Sequence, residues 1–135
     1  MTENFLWSRD TAAQRLERTR QHVAQDTAET RHVFTQLFSD DLPPEALPDT
    51  PLSGALVSIK DLLDVEGYTT RAGTVFMADN PTAEQDAEVV ARLRAQGCVF
   101  VGHTSMTELA YSGLCLNHHY GTLENARFPG CNGGR

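Results

Sequence analysis

The sequence predicts an α/β fold in which N-terminal helices pack against part of a mixed, partly parallel central sheet. Two runs rich in β-forming residues, 55–60 and 98–101, have the composition of buried strands. A segment with helical signals, 82–97, lies between them. A strand, a crossover that contains a helix and a second strand favour a right-handed parallel unit, because parallel strands need a long connection.

Before the first of these strands, the sequence predicts helices followed by a linker. Residues 8–38 contain no Gly or Pro, and their apolar residues recur mostly at helical intervals, which indicates one long helix or two consecutive helices. Residues 42–51 are rich in Pro and lose this periodicity, as a surface linker does. We therefore divide the chain into a helical leader with a Pro-rich linker, 1–50, and a second part, 51–135.

Two short motifs predict where further helices begin. The motif at 82–85 has the spacing of a capping box, and Gly97 is placed to end the helix that follows. The motif at 105–108 predicts a second helix, capped by Ser105. After Gly113 the abundance of Gly, Asn and Pro predicts a loop.

Composition excludes several classes of function. The 135 residues carry 11 Lys and Arg against 18 Asp and Glu, a net charge of −7, so a nucleic acid or an anionic membrane would repel the chain. No apolar run approaches the roughly 20 residues that span a bilayer, and residues 1–10 lack the features of a signal peptide. Three cysteines are too few for a disulfide framework. We expect a cytoplasmic protein with reduced thiols that binds neither nucleic acid nor membrane.

Lys60 is the candidate for chemistry, because it ends an otherwise apolar strand. Alternation places it on the same face as Ser58, with Ile59 and Asp61 on the other face. Burial would disfavour the ammonium, and a neutral amine can take a proton from a hydroxyl nucleophile or its relay. The alternative is a solvated lysine at a strand end, and spacing alone does not decide between the two.

Cysteine and histidine side chains raise the alternative of a zinc site, because they are its usual ligands. The residues concerned are Cys98, His103, Cys115, His118, His119 and Cys131. Only the gap at 115–118 has ligand-like spacing, and no second matched pair follows. We expect no metal, with Cys98 in a strand core and the two adjacent histidines in a loop.

Three carboxylates close to Lys60 raise the alternative of a hard-cation site or of paired-carboxylate chemistry. These are Asp61, Asp64 and Glu66. Nothing else nearby supplies the remaining oxygen ligands, so we expect a loop of solvated carboxylates. The turn after the strand can return Asp64 toward the Lys60 ammonium and so hold it protonated.

The chain from residue 51 onward resembles the amidase signature family. Six blocks match in one order: PLSGALVSIKD (51–61), DVEG (64–67), TRAG (70–73), DAEVVARLRAQGC (86–98), GHTSMTELA (102–110) and NHHYGTLEN (117–125). The resemblance implies hydrolysis of carboxamide C–N bonds through an acyl-enzyme, with a nucleophilic serine, a bridging serine in a cis peptide bond and a lysine, and with no metal or organic cofactor. It places the catalytic lysine at Lys60. Relatives often read Gly-Lys-Thr-Asn where this chain has His103 and Ser105, so we expect His103 to affect packing or substrate contacts.

The resemblance also implies that the chain corresponds to the N-terminal portion of such an enzyme. Gly133 and Gly134 look like the opening of the family's Gly-Ser-rich stretch, and Arg135 stands at or just before the bridging serine. No matched catalytic position is occupied by Ser53, Ser58, Ser105 or Ser112.

These expectations describe an incomplete amidase-signature fold that is inactive alone. The intact parent would take a small-molecule amide, and this chain would be joined by a complementing C-terminal part or by a second copy of itself. The alternative is a non-catalytic interaction subunit or remnant that docks on a partner chain through a sheet edge and an apolar face.

Overall fold

The chain folds around a three-stranded mixed sheet. The computed structural model describes residues 7–27, 30–39 and 46–133. Strand β3 (Val99–Thr104) lies in the centre, parallel to β2 (Leu56–Lys60) and antiparallel to β1 (Phe34–Leu37). These strands confirm the α/β class, the mixed sheet and the parallel pairing that the sequence predicts.

Helices cover both faces of this sheet. In the described ranges the α-helices are α1 (Ala12–Ala24) and α2 (Glu88–Ala95). Leu16 of α1 packs in one core with Val99 and Val101, whereas Val90 of α2 packs in the other core with Phe100. Because successive residues of a strand point to opposite faces, the two helices lie on opposite sides of β3.

Strand β1 shows that the prediction of helix throughout 8–38 is wrong at its C-terminal end. Helix α1 ends at Ala24, and residues 34–37 pair with β3, where Leu37 lies opposite Gly102. The apolar spacing of so short a run does not distinguish a helix from a strand, and the available pairing partner decides.

The predicted linker is described only in part. Residues 42–45 lie outside the described residues, and residues 46–51 contain neither an α-helix nor a strand. Leu47 is buried and packs in the same core as α1. This part of the chain therefore follows the surface while one apolar side chain reaches inward.

The motif at 82–85 does not cap a helix, contrary to the prediction. Helix α2 begins at Glu88 without a side-chain cap. The backbone of Ala83 instead accepts a hydrogen bond from Gly67 N–H (2.9 Å) and donates one to the carbonyl oxygen of Tyr68 (3.0 Å). These contacts bind the segment to the neighbouring loop, so the helix starts only after it.

The end of α2 is as the sequence predicts. Gly97 has a φ of +73°, the left-handed conformation that glycine adopts without steric cost. Its N–H donates to the carbonyl oxygen of Arg94 (2.8 Å), and Cys98 N–H donates to that of Leu93 (3.1 Å). This is the pair of hydrogen bonds of a Schellman motif, and it turns the chain directly into β3.

The motif at 105–108 also fails to start an α-helix. Only a 3-10 turn follows, Glu108–Ala110, in which Leu109 and Ala110 have φ values of 51° and 57°. Left-handed residues cannot continue a right-handed helix, and the Ser105 hydroxyl makes no capping hydrogen bond. Beyond Gly113, the predicted loop contains an antiparallel hairpin, β4 (Glu124–Asn125) and β5 (Phe128–Asn132).

Neither α-helix in the described ranges is long and apolar enough to cross a bilayer.

A substitution at Gly102 would test how closely β1 approaches β3. A Cβ atom at Gly102 would lie 2.3 Å from the carbonyl oxygen of Gln36 and 3.0 Å from the Cα of Leu37, both of them backbone atoms of β1. We expect Gly102→Ala to lower the free energy of unfolding by about 1–3 kcal/mol, because β1 has to move away. Urea unfolding measures this change. The exposed Ser58→Ala on β2 is the control, and equal stability of the two variants would contradict the close contact.

Candidate active site at the carboxyl end of the parallel strands

Lys60 lies at the carboxyl end of β2, opposite Thr104 at the end of β3. Ser58 and Lys60 are exposed, whereas Ile59 and Asp61 are buried, so the predicted alternation is confirmed. The backbone turns immediately afterward, because the carbonyl oxygen of Lys60 accepts hydrogen bonds from the N–H groups of Leu62 (2.6 Å) and Leu63 (3.1 Å). The Lys60 side chain therefore projects from a strand end that the sheet holds in place.

A cavity of about 130 Å³ adjoins Lys60. Its other walls include Met106, Ser112, Cys115 and Gly133. Among these residues Met106 is buried, with 3% of its surface exposed, but Lys60 itself is exposed within the described part of the chain. The desolvated amine that the sequence suggests is therefore not present in the described residues, which show a solvated lysine beside a small cavity.

The β4–β5 hairpin returns the chain to this cavity. Glu124 pairs with Asn132, and Gly133 N–H donates to the carbonyl oxygen of Leu123 at 2.6 Å. Gly133 thereby reaches the cavity wall that Lys60 shares. Lys60 and Gly133, which are far apart in the sequence, therefore border one cavity.

A buried asparagine fixes the loops around the cavity. The Nδ2 of Asn117 donates to the carbonyl oxygens of Gly73 (2.7 Å) and Met106 (2.8 Å). Its Oδ1 accepts from the backbone N–H groups of His119 (2.8 Å) and Tyr120 (2.9 Å). One side chain thus joins three loops, and the sequence block that starts at Asn117 gave no sign of this role.

Asp61 lies on the inner side of the same strand end and is fully buried, so the prediction of a solvated carboxylate is wrong for this residue. Its Oδ2 accepts a hydrogen bond from Thr35 Oγ1 (3.0 Å), and its Oδ1 accepts one from Arg71 N–H (2.9 Å). Asp64 and Glu66 are exposed, as expected. Asp64 accepts from the hydroxyl of Thr70, and no ion pair joins it to Lys60 among the described residues.

His103 belongs to this buried cluster, which confirms that it acts in packing. Its ring meets Phe38 edge-on with centroids 4.9 Å apart. Its Nε2 lies 3.2 Å from the carbonyl oxygen of Leu63, and because a carbonyl only accepts, this nitrogen carries the hydrogen. Its Nδ1 lies 3.5 Å from Asp61 Oδ1 without forming an aligned hydrogen bond.

Burial lowers the pKa of His103 below its ordinary value. The Asp61 carboxylate and the hydrogen bond to the Leu63 carbonyl oppose this shift, as does Asp64, while the Arg71 guanidinium adds to it. Desolvation has the largest effect, so the imidazole is neutral near pH 7.

The structure does not bring together the cysteines and histidines that raised the alternative of a zinc site. Cys98 is buried beside β3 and Cys131 is exposed, while His119 pairs with Glu108 at 3.1 Å in a separate turn. Within residues 7–27, 30–39 and 46–133, no three His, Cys, Asp or Glu side chains converge as metal ligands would.

Burial raises the pKa of Cys115, and the positive charge of the nearby Lys60 offsets part of that rise.

The composition of the chain also distinguishes Lys60 from its other basic residues. It is the only lysine among the 135 residues, since the other ten basic side chains are arginines. An arginine cannot act as a base at neutral pH, so Lys60 is the one basic side chain of this class that can lose a proton. Spacing and alternation alone do not reveal this property.

The neutral His103 predicts a dependence of stability on pH. An unfolded histidine binds a proton below about pH 6.5, whereas the buried His103 does so only at lower pH, so the unfolded state binds more protons in this window. The free energy of unfolding should therefore fall as the pH drops below about 6.5. Urea unfolding between pH 5 and 7.5 measures the slope, which His103→Gln should reduce. His118→Gln, at an exposed position, serves as the control. An unchanged slope in His103→Gln would refute the conclusion that His103 causes the pH dependence.

Comparison with known proteins places these features in a family. The family model described as Amidase matches residues 13–134. The AtzE subunit of 1-carboxybiuret hydrolase from Pseudomonas sp. (strain ADP) is 42% identical over 86 residues, which cover 64% of this chain and 18% of that protein. The indoleacetamide hydrolase of Pseudomonas savastanoi is 42% identical over 90 residues, which cover 66% and 20% of the two chains.

Solved structures agree with these relatives. An inhibitor-bound vestigial protein complex, linked to the evolutionary origins of an s-triazine catabolic enzyme, superposes with a TM-score of 0.80 at 31% identity, over 91% of this chain and 29% of that one. A crystal structure of an amidase superposes with a TM-score of 0.71 at 28% identity, over 94% and 30% of the two chains. The chain thus spans about a fifth of the length of the curated relatives it matches. Because the family model covers most of its residues, the chain belongs to the amidase family, as the resemblance predicted.

Proposed function

We propose that the chain forms the N-terminal part of an amide hydrolase and supplies Lys60 as its general base. One observation carries the proposal: the only lysine of the chain stands at the end of β2 and shares a cavity with Gly133. The resemblance assigns the family's catalytic lysine to this residue. The Gly-Ser-rich stretch of the family would begin at Gly133, so its bridging serine would arrive beside the amine. The relatives named as hydrolases of amides support the same class of reaction.

The proposed reaction begins with proton transfer to Lys60. A nucleophilic serine attacks the carbonyl carbon of the amide, and its proton passes through the bridging serine to the Lys60 Nζ. The tetrahedral intermediate then breaks its C–N bond, and the same proton returns through the bridge to the leaving amine. Water cleaves the resulting acyl ester in the reverse sense, so that the acid is released and the serine hydroxyl is restored.

A polypeptide of only these 135 residues should not carry out this reaction. None of its serines stands on a matched catalytic position, and loss of a nucleophile removes orders of magnitude of rate. Ser112 borders the Lys60 cavity, but its hydroxyl is engaged locally with Thr107 Oγ1 (3.4 Å) and Leu114 N–H (3.3 Å). We therefore assign the nucleophile to a segment that follows the Gly-Ser-rich stretch.

A second candidate function is that of a docking subunit without catalysis. Several large apolar side chains are exposed in the described residues, namely Phe76, Leu109, Tyr111 and Phe128, and Tyr111 is 93% exposed. Leu109 and Tyr111 line one surface cavity together, and contiguous exposed apolar side chains are typical of contact surfaces. The relatives include one of the subunits of a glutamyl-tRNA(Gln) amidotransferase from Pseudomonas syringae, so members of the family act within multi-subunit proteins.

Complementation tests the first proposal. We would produce the chain together with the part of the Pseudomonas savastanoi indoleacetamide hydrolase that follows its matched region, and measure ammonia release from indoleacetamide. We expect hydrolysis by the pair and none by the chain alone. Lys60→Ala and Lys60→Arg should each reduce the rate at least about 100-fold, because arginine keeps the charge but cannot accept the proton.

The other outcomes separate the alternatives. Hydrolysis by the chain alone that Ser112→Ala abolishes would place the nucleophile within these residues. Full activity of the pair with Lys60→Ala would refute the role of the lysine as base. Stable binding of the two polypeptides without any hydrolysis would favour the docking subunit.

A further inference from the structure

The buried carboxylate next to Lys60 joins three segments that are far apart in the sequence. Thr35 of β1 and the backbone N–H of Arg71 donate to Asp61, and Asp61 N–H donates to the carbonyl oxygen of Thr104 at the end of β3 (3.3 Å). Thr35 Oγ1 also lies 3.3 Å from the carbonyl oxygen of His103. These hydrogen bonds connect β1, β3 and the loop at residue 71 through the single residue Asp61.

This arrangement fixes the direction of the neighbouring side chain. Lys60 and Asp61 are consecutive, so their side chains leave the strand end on opposite sides. The Arg71 guanidinium adds a further tie to β1, since its Nη1 donates to the carbonyl oxygen of Thr35 at 3.1 Å. With Asp61 held inside, the backbone at Lys60 cannot rotate without breaking these contacts, so the Lys60 side chain keeps leaving the strand on the side of the cavity that it lines together with Met106 and Cys115.

We propose that Asp61 is a positioning residue for Lys60: its hydrogen bonds to Thr35 and to Arg71 N–H orient the strand end so that the amine faces the incoming bridging serine. This inference rests on the proposed function of Lys60. It assigns to Asp61 no contact with substrate, and its effect passes entirely through the lysine.

The chain contains a matched control for this pair. Asp64 lies four residues after Lys60, and its carboxylate also accepts a threonine hydroxyl, that of Thr70 at 2.6 Å, but Asp64 is exposed. Asp61→Asn and Thr35→Val remove the charge and the hydroxyl donor of the buried pair. Asp64→Asn and Thr70→Val make the same changes in the exposed pair.

The unique lysine allows a direct measurement of geometry. In a Cys131→Ser variant of the chain by itself, before complementation, a short amine-to-thiol crosslinker can join Lys60 to Cys115, because both line one cavity, Lys60 is exposed and Cys98 is buried. Peptide mass spectrometry distinguishes this product from reaction of the α-amine. The yield reports the orientation of the Lys60 side chain independently of hydrolysis.

We expect Asp61→Asn and Thr35→Val to lower kcat at least about tenfold, with KM within about twofold, because a misplaced catalytic group costs rate rather than substrate binding. Both variants should also lower the crosslink yield, whereas Asp64→Asn and Thr70→Val should match the unmodified protein in both measurements. If Asp61→Asn fails to fold, Thr35→Val, which keeps the carboxylate and the shape of the side chain, decides the outcome.

Either of two results would overturn the inference. The first is an unchanged kcat in Asp61→Asn and Thr35→Val while Lys60→Ala abolishes hydrolysis. The second is a crosslink yield that the variants of the buried pair and those of the exposed pair change equally. Hydrolysis that survives Lys60→Ala would instead refute the proposed function. In that case the crosslink yields still decide whether Asp61 orients the lysine.

Discussion

The parallel pairing of β2 with β3 is the interaction on which the rest of the structure depends. It places Val57 opposite Phe100 and Lys60 opposite Thr104, so both strands end at one edge of the sheet. A slip of one residue would turn the buried Ile59 into solvent and bring Lys60 inside, which the core does not tolerate. The face of the sheet on which Lys60 lies is therefore a consequence of apolar burial elsewhere on the strand.

At the same edge of the sheet, two polar side chains, Asp61 and His103, are fully buried. A buried carboxylate without donors would be costly, and Asp61 meets this cost with hydrogen bonds from Thr35 and from the backbone of Arg71. His103 remains neutral because desolvation outweighs the attraction of the carboxylate. Asp61 accepts hydrogen bonds from β1 and from the loop at residue 71, and its own N–H donates to Thr104 of β3, so its hydrogen bonds are complete only when all three segments are in place.

The sequence predicts features that local chemistry determines and misses those that depend on distant partners. The alternation around Lys60 and the glycine that ends α2 follow from strand geometry and from left-handed backbone, and both are found. The sequence pattern predicts helix for the residues of strand β1, because their pairing partner β3 lies more than 60 residues away in the chain. The motif at 82–85 does not cap a helix, because its backbone forms hydrogen bonds with a neighbouring loop. The sequence places Asp61 in solvent because its hydrogen-bond donor Thr35 is 26 residues away in the chain.

The division of the proposed site between this chain and later segments has a chemical consequence. Lys60 is held by the sheet but exposed, and it borders a cavity that the buried Met106 also lines. The hairpin brings Gly133 to the rim, so segments that follow would cover the amine as they deliver the serines. Removing water from an amine favours its neutral form, which is the form that accepts a proton. In the proposed enzyme, activation of the base and arrival of the nucleophile are therefore one event, and an uncovered Lys60 is the state expected before it.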